Sequence, residues 1–454
     1  MRDLKELTGY DIITEEKIPE VNGTGYILSH KKTKARVLVI ANDDENKVFN
    51  IGFRTPPYDD SGIPHILEHS VLCGSRKYPV KDPFVELAKG SLNTFLNAMT
   101  YSDKTVYPIA SCNEKDFENL MDVYLDAVFY PNIYEHTEIM RQEGWHYELE
   151  TVEGELIYNG VVFNEMKGAF SSPEQQMYSK IEKLLLADTP YKNESGGDPA
   201  AIPTLSQERF LDFHRKYYHP SNSYIYLYGD LDMYKELDYI DKEYLSSFDY
   251  REIDSTIAVQ TAYEQMKDES CFYSIAENES EENQTFLTYN MVVGSSLDKK
   301  QSVAMNILEY AIMDAPGAPL KKALVDAGIG EDVFASFDDG IRQTIFSIVA
   351  RNANMSDKER FVSVIRDTLT DLSGHGEEGK AINRTSIEAA INNFEFKHKE
   401  ANFGRFPKGL MMGLDAFNTW LYDDASALEM FKLNEVYDEL KESLKTGYFE
   451  ELIW

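Results

Sequence analysis

Residues 48–72 read VFNIGFRTPPYDDSGIPHILEHSVL. The first eight letters form a β-rich run. The last dozen start a helix, with Ser61 available as its cap and Pro64 suited to an early helical position. Later the chain runs through the same order again. FLTYNMVVG, then MNILEYAIM, then APLKKALVDAG parallels VFNIGFRT, then PHILEHSVL, then DPFVELAKGSL. The offset is 306 − 65 = 241 residues, so HILEH (65–69) recurs as NILEY (306–310). This predicts an α+β chain of two homologous units, each a mainly antiparallel sheet packed with helices. An acidic, weakly patterned stretch between residues 231 and 280 holds the linker, which gives units 1–250 and 251–454.

Other runs fill in the frame. GYILSH and ARVLVIA read as strands on either side of a basic turn. NEKDFENLMDVYLDAVF is an amphipathic helix ended by Pro131, and ERFLDFHRKYYH is a helix that stops before Pro220. VVFNEMKGAF reads as a strand end or loop leading into a helix, and SYIYLYGD as a buried strand. In the second unit FASFDDGIRQTIFSIVARN is a strand pair about an Asp-Gly turn, and APLKKALVDAG is a helix with Gly328 as its C-cap. DKERFVSVIRDTLTDLS is a helix, and the remainder is mostly helical.

Composition narrows the function. The 454 residues carry 45 basic and 78 acidic side chains, a formal charge of −33. Nucleic-acid binding needs a basic footprint, which this balance argues against. Three well-separated cysteines, Cys73, Cys112 and Cys271, suit reduced thiols rather than a disulfide framework. No apolar run reaches the roughly 18 residues that span a bilayer. The N-terminus, MRDLKELTGYDIITEEKIPE, lacks the apolar core of a signal peptide and is too acidic for a transit peptide. These features predict a cytoplasmic protein with no membrane partner.

The chemistry lies in the first copy. Helical positions four apart share a face, so His65 and His69 can aim both rings at one metal ion. Glu68 lies on nearly the same face, too close to add a useful third ligand but able to reach a water on the metal. Two imidazoles and one distant carboxylate would form an open zinc site, with Glu68 as general base and then general acid. The H-x-x-E-H order is a zinc-peptidase signature. Acidic residues are abundant, and spacing alone does not select the third ligand.

Longer stretches bear on that choice. SGIPHILEHSVLCGSRKYPVKDPF, SLNTFLNAMTYSDKTVYPIAS, EGWHYELE, GVVFNEMKGAF and SGGDPAAIPTLS resemble the insulinase/pitrilysin family of zinc peptidases, and most closely its presequence-protease branch. The resemblance covers essentially the whole first unit. It implies the processing-peptidase-like metallohydrolase fold, one Zn2+ ion and Glu165 as the third ligand, 165 − 69 = 96 residues after His69. It also implies that Asn97, Ala98 and Thr100 form an edge strand that pairs with the substrate backbone, the alternative being an edge covered by a loop. Some members carry a second Glu seven residues before the ligand Glu. Tyr158 stands there in this chain, which leaves that supporting role vacant or moved.

In the second copy Asn306 and Tyr310 replace the two histidines. An amide is a poor zinc ligand, and a phenol is protonated near neutral pH. The second unit is therefore expected to keep the packing and lose the chemistry. Branch members normally have four such units in two halves. The expectation is thus a zinc endopeptidase acting on unfolded peptides, present as the N-terminal half of a longer enzyme. Its partner would be the C-terminal half or another subunit, and a natural half-length chain that dimerises is the rival. The competing function is a non-catalytic peptide-binding or scaffolding subunit of the same family.

Overall fold

The computed structural model describes residues 2–376 and 381–454. The strands before the motif are β1 (Tyr10–Ile18), β2 (Gly23–His30), β3 (Arg36–Ala41) and β4 (Lys47–Arg54). Helices α1 (Ile63–Val71) and α2 (Pro83–Gly90) follow, then strands β5 (Asn93–Leu96), β6 (Met99–Thr100) and β7 (Lys104–Ser111). Helices α3 (Glu114–Phe129) and α4 (Thr137–Glu143) lead to a hairpin of β8 (His146–Glu148) and β9 (Ile157–Asn159). Next come α5 (Val161–Ala169), α6 (Pro173–Leu185), α7 (Gln207–Tyr217), β10 (Ser223–Gly229) and α8 (Met233–Glu243). The later strands are β11 (Thr285–Ser295), β12 (Asp332–Asp338) and β13 (Gln343–Ala353). The later helices are α9 (Lys299–Glu309), α10 (Pro319–Asp326), α11 (Lys358–Leu372), α12 (Arg384–Glu400), α13 (Lys408–Trp420), α14 (Asn434–Ser443) and α15 (Tyr448–Ile453).

By contacts the chain divides into Met1–Gln260 with Phe403–Phe431, and Thr261–Asn402 with Lys432–Trp454. Residues 403–431 fall on the far side of the 250/251 division in sequence, yet they pack with the first unit.

The first unit's main sheet runs β1-β2-β3-β10-β4-β7-β5, with β6 also on β7. Its pairs are antiparallel except β3 with β10. Both faces are covered, which explains why its central strands read as largely apolar runs rather than alternating ones. Val37, Val39, Phe49, Ile51, Phe53, Tyr107, Ile109, Ile225 and Leu227 join the core that also holds residues of α1, α3, α7 and α8. The alternate positions, among them Leu38, Ile40, Val48, Val106, Tyr224, Tyr226 and Tyr228, meet α13 and the turn after it on the other face. Two glycines of α13 permit that approach. A Cβ on Gly409 would lie 2.1 Å from the Tyr228 ring, and one on Gly413 2.3 Å from the Tyr226 ring. The Tyr226 hydroxyl donates to the Gly409 carbonyl at 2.9 Å.

The second unit has an antiparallel sheet β11-β13-β12. Helix α9 buries Val303, Ala304, Ile307 and Leu308, and α12 and α14 pack on it. It continues as a π-helical turn, Tyr310–Asp314.

Several local expectations need correction. Ser61 does not cap α1. The N-cap is Gly62 in the left-handed region (φ 70°), while Ser61 donates to Asp59 at 2.5 Å. VVFN is already helical, with only Ile157–Asn159 before it as strand. The stretch 231–280 opens with α8, which buries Met233, Leu237 and Ile240. Strand β1 presents no apolar run, because Asp11, Ile13, Glu15 and Lys17 face solvent. Among the described residues no helix is long and apolar enough to cross a membrane.

Candidate metal centre

Helix α1 carries His65, Glu68 and His69 on one face, and α5 brings Glu165 to them. The Glu165 carboxylate lies 3.7 Å from Nε2 of His65 and 3.7 Å from Nε2 of His69. One ligand atom from each residue falls within 4.8 Å of the others, the one such group among the described residues. Two imidazole nitrogens and a carboxylate oxygen are zinc donors, and tetrahedral bonds of about 2.0–2.1 Å put ligand atoms roughly 3.4 Å apart. The donor set and its spacing therefore fit one zinc ion. The His65, His69 and Glu165 side chains are 12%, 25% and 55% exposed, so the cluster is open on the Glu165 side.

Each ring is held from behind. His65 Nδ1 lies 3.1 Å from the Gly196 carbonyl, and His69 Nδ1 lies 3.4 Å from the Glu143 carboxylate. Both rings thus donate through Nδ1 and turn Nε2 inward. The Gly196 carbonyl sits in a loop tied to the start of α1. Asp60 accepts from the Glu194 amide at 2.7 Å and from Lys183 Nζ at 2.8 Å, and its own carbonyl accepts from the Asp198 amide at 2.8 Å. A Cβ on Gly62 would come within 2.7 Å of Gly197 Cα, so backbone meets backbone there.

Glu68 is buried, and burial pushes its carboxyl above the usual carboxylate range. Thr100, His65 and His69 pull it back, and Glu165 pushes it up. Burial disfavours a charged His69 ring, yet Glu143, Glu68 and Glu165 together hold its pKa above the ordinary value. Cys73 is half-buried, and its thiol donates to the His69 carbonyl at 3.5 Å.

Asn97, Ala98 and Thr100 lie on the β5–β6 segment at the open end of the sheet order. Ala98 is buried, Asn97 is exposed, and the Asn97 carbonyl accepts from the Tyr124 hydroxyl at 3.2 Å. Sequence reasoning missed Gly196 and Glu143. A carbonyl leaves no side-chain signal, and one more Glu among many acidic residues stands out only once its partner is known.

The second copy lacks this arrangement. Asn306 donates to the Ser302 carbonyl at 3.1 Å. Glu309 has its carboxyl pushed up to about 7 by burial, with Asp314 and Asp339 adding and the Phe337 backbone opposing.

The family model "Insulinase (Peptidase family M16)" matches residues 48–179, and "Peptidase M16 inactive domain" matches residues 204–394. The chain is 51% identical over 446 residues to Protein HypA of Clostridium perfringens, covering 98% of this chain and 45% of that protein. It is 41% identical over 454 residues to presequence protease 1 (chloroplastic/mitochondrial) of Arabidopsis thaliana, covering 99% of this chain and 41% of that protein. It thus spans less than half the length of these two relatives. The crystal structure of pitrilysin shares its fold, with a TM-score of 0.64 at 17% identity over 98% of this chain and 46% of that one. With its two matching models and its relatives on the same footing, the chain belongs to the insulinase family, peptidase family M16.

Proposed function

We propose that this chain is the metal-binding half of a zinc-dependent endopeptidase that cuts unfolded peptides. The observation that carries the reading is the convergence of His65, His69 and Glu165 within 4.8 Å, with Glu68 on the same helix as the two histidines. The three would hold one zinc ion. When bound, zinc supplies Lewis acidity toward a carbonyl and toward water.

The chain's own groups do the rest. Glu68 takes a proton from the attacking water and returns it to the amine nitrogen leaving the scissile bond. Its burial suits that shuttle, because it lifts the carboxyl toward neutral pH. Asn97, Ala98 and Thr100 offer the substrate an open strand edge, which requires an extended peptide. The first unit (1–250 in the sequence division) is the catalytic one. The second, with Asn306 and Tyr310 at the two motif positions, keeps the packing without the ligands. Relatives of more than twice this length point to a C-terminal half, or a partner subunit, that completes the peptide site.

Elemental analysis of the purified chain should give one zinc per chain. Cleavage of an unstructured peptide is then measured with the C-terminal half of the clostridial relative supplied in trans. Glu68→Gln should keep the metal and lower the rate by about 10²–10⁴-fold. A peptide-binding scaffold would instead show no zinc-dependent cleavage and no response to the substitution, and that result rejects the proposal.

A further inference from the structure

Tyr158 occupies the position where some family members carry a supporting Glu. In the fold it sits on β9, 43% exposed, with its ring 5.2 Å from that of Tyr147 and turned toward Trp145 and Phe163. It is an aromatic member of the β8–β9 hairpin. A different residue faces the outer nitrogen of His69.

We infer that Glu143, the last residue of α4, is the positioning residue that aims His69 at the metal. Three observations carry this. Its Oε2 lies 3.4 Å from His69 Nδ1, leaving Nε2 as the ring atom beside Glu165. Its other oxygen, Oε1, accepts from Gln142 Nε2 at 2.9 Å, so the two oxygens have separate partners and the carboxylate has a defined orientation. It is 7% exposed. A carboxylate is buried at considerable cost unless it is hydrogen-bonded or paired, and the ring nitrogen Nδ1 of His69 faces this one. Core packing alone would favour an apolar residue at that position. A metal-ligating histidine, by contrast, usually donates its other nitrogen to such a carboxylate, which fixes the tautomer and raises the basicity of the ligating atom. The Gly196 carbonyl performs the same office for His65. The supporting carboxylate therefore comes from the end of α4, ahead of the β8–β9 hairpin, rather than from the strand leading into α5.

This inference rests on the zinc reading above, and the test separates the two. Zinc dissociation constants are measured by chelator competition for the wild-type chain, Glu143→Gln and Glu143→Ala. The visible spectrum of each cobalt-substituted protein is recorded alongside, and the melting temperature of each metal-free protein serves as the folding control. Glu143→Ala should weaken zinc binding by about 10–100-fold and change the cobalt spectrum. Glu143→Gln keeps an acceptor for Nδ1 but loses the charge, so it should recover part of the affinity and stay several-fold weaker than wild type. Wild-type affinity in the variants overturns the inference. Should the alanine variant fail to fold, the glutamine variant decides alone by the same criterion. A wild-type chain that takes up no zinc sinks the zinc reading instead.

Discussion

Two kinds of histidine share the first unit. His65 and His69 keep one nitrogen free and facing a carboxylate. His214 has both engaged, with Nε2 donating to the Val128 carbonyl at 3.0 Å and Nδ1 accepting from the Tyr134 hydroxyl at 2.7 Å. It is 3% exposed and stacks on Tyr218. That is a packing histidine, built as the neutral ring. Burial, helped by Arg215 and opposed by Val128, pushes its pKa from 6.5 down to about 4. The unfolded chain therefore takes up a proton as pH falls below 6.5, while the folded chain resists until about 4. Stability should be intact above the upper value and drain away between the two, by roughly 3 kcal/mol at the lower end. Urea midpoints measured from neutral pH downward should show that slope. His214→Gln, less stable at neutral pH, should show a shallower one.

At the scale of elements, α13 is held against β10 by the absence of two side chains. Gly413→Ala would drive a methyl into the Tyr226 ring, and Gly409→Ala into Tyr228. Each should cost about 1–3 kcal/mol, the usual range for overpacking a filled core. Thermal melts of the two variants check this. Gly317→Ala is the contrast in steric terms, since nothing lies within 4 Å of a Cβ there, although its φ of +78° still carries backbone strain. The role of α13 was not legible in the sequence, which marks it as helical but not as a cover for a sheet laid down almost two hundred residues earlier. What was legible follows from local physics. The i, i+4 spacing announced the His65–His69 pair, and β-rich, largely apolar runs announced β4 and β10. Glu165 came from resemblance, because no local rule links residues 96 positions apart. Glu143 and Gly196 needed the fold itself. Strand β1 was hidden by its own amphipathicity, with Ile13 on the wet face at 65% exposure.

On the scale of the whole molecule, the net charge of −33 sets a long-range field. Such a field draws cationic peptides and repels anionic ones, and salt screens it. Given cleavage, kcat/KM for a basic peptide should fall several-fold as salt rises from about 0.01 M to about 0.15 M, where the Debye length contracts from about 30 to 8 Å. An acidic peptide of equal length should gain or stay level. Equal responses from the two would show that the charge serves solvation alone. The contact between Gly62 and Gly197 bears on engineering. Grafting the nine residues of α1 onto another scaffold would transplant two imidazoles without the carbonyl and the carboxylate that steer them. A portable version needs at least four separate pieces of backbone, so designers should borrow the surrounding cradle rather than the five-letter signature.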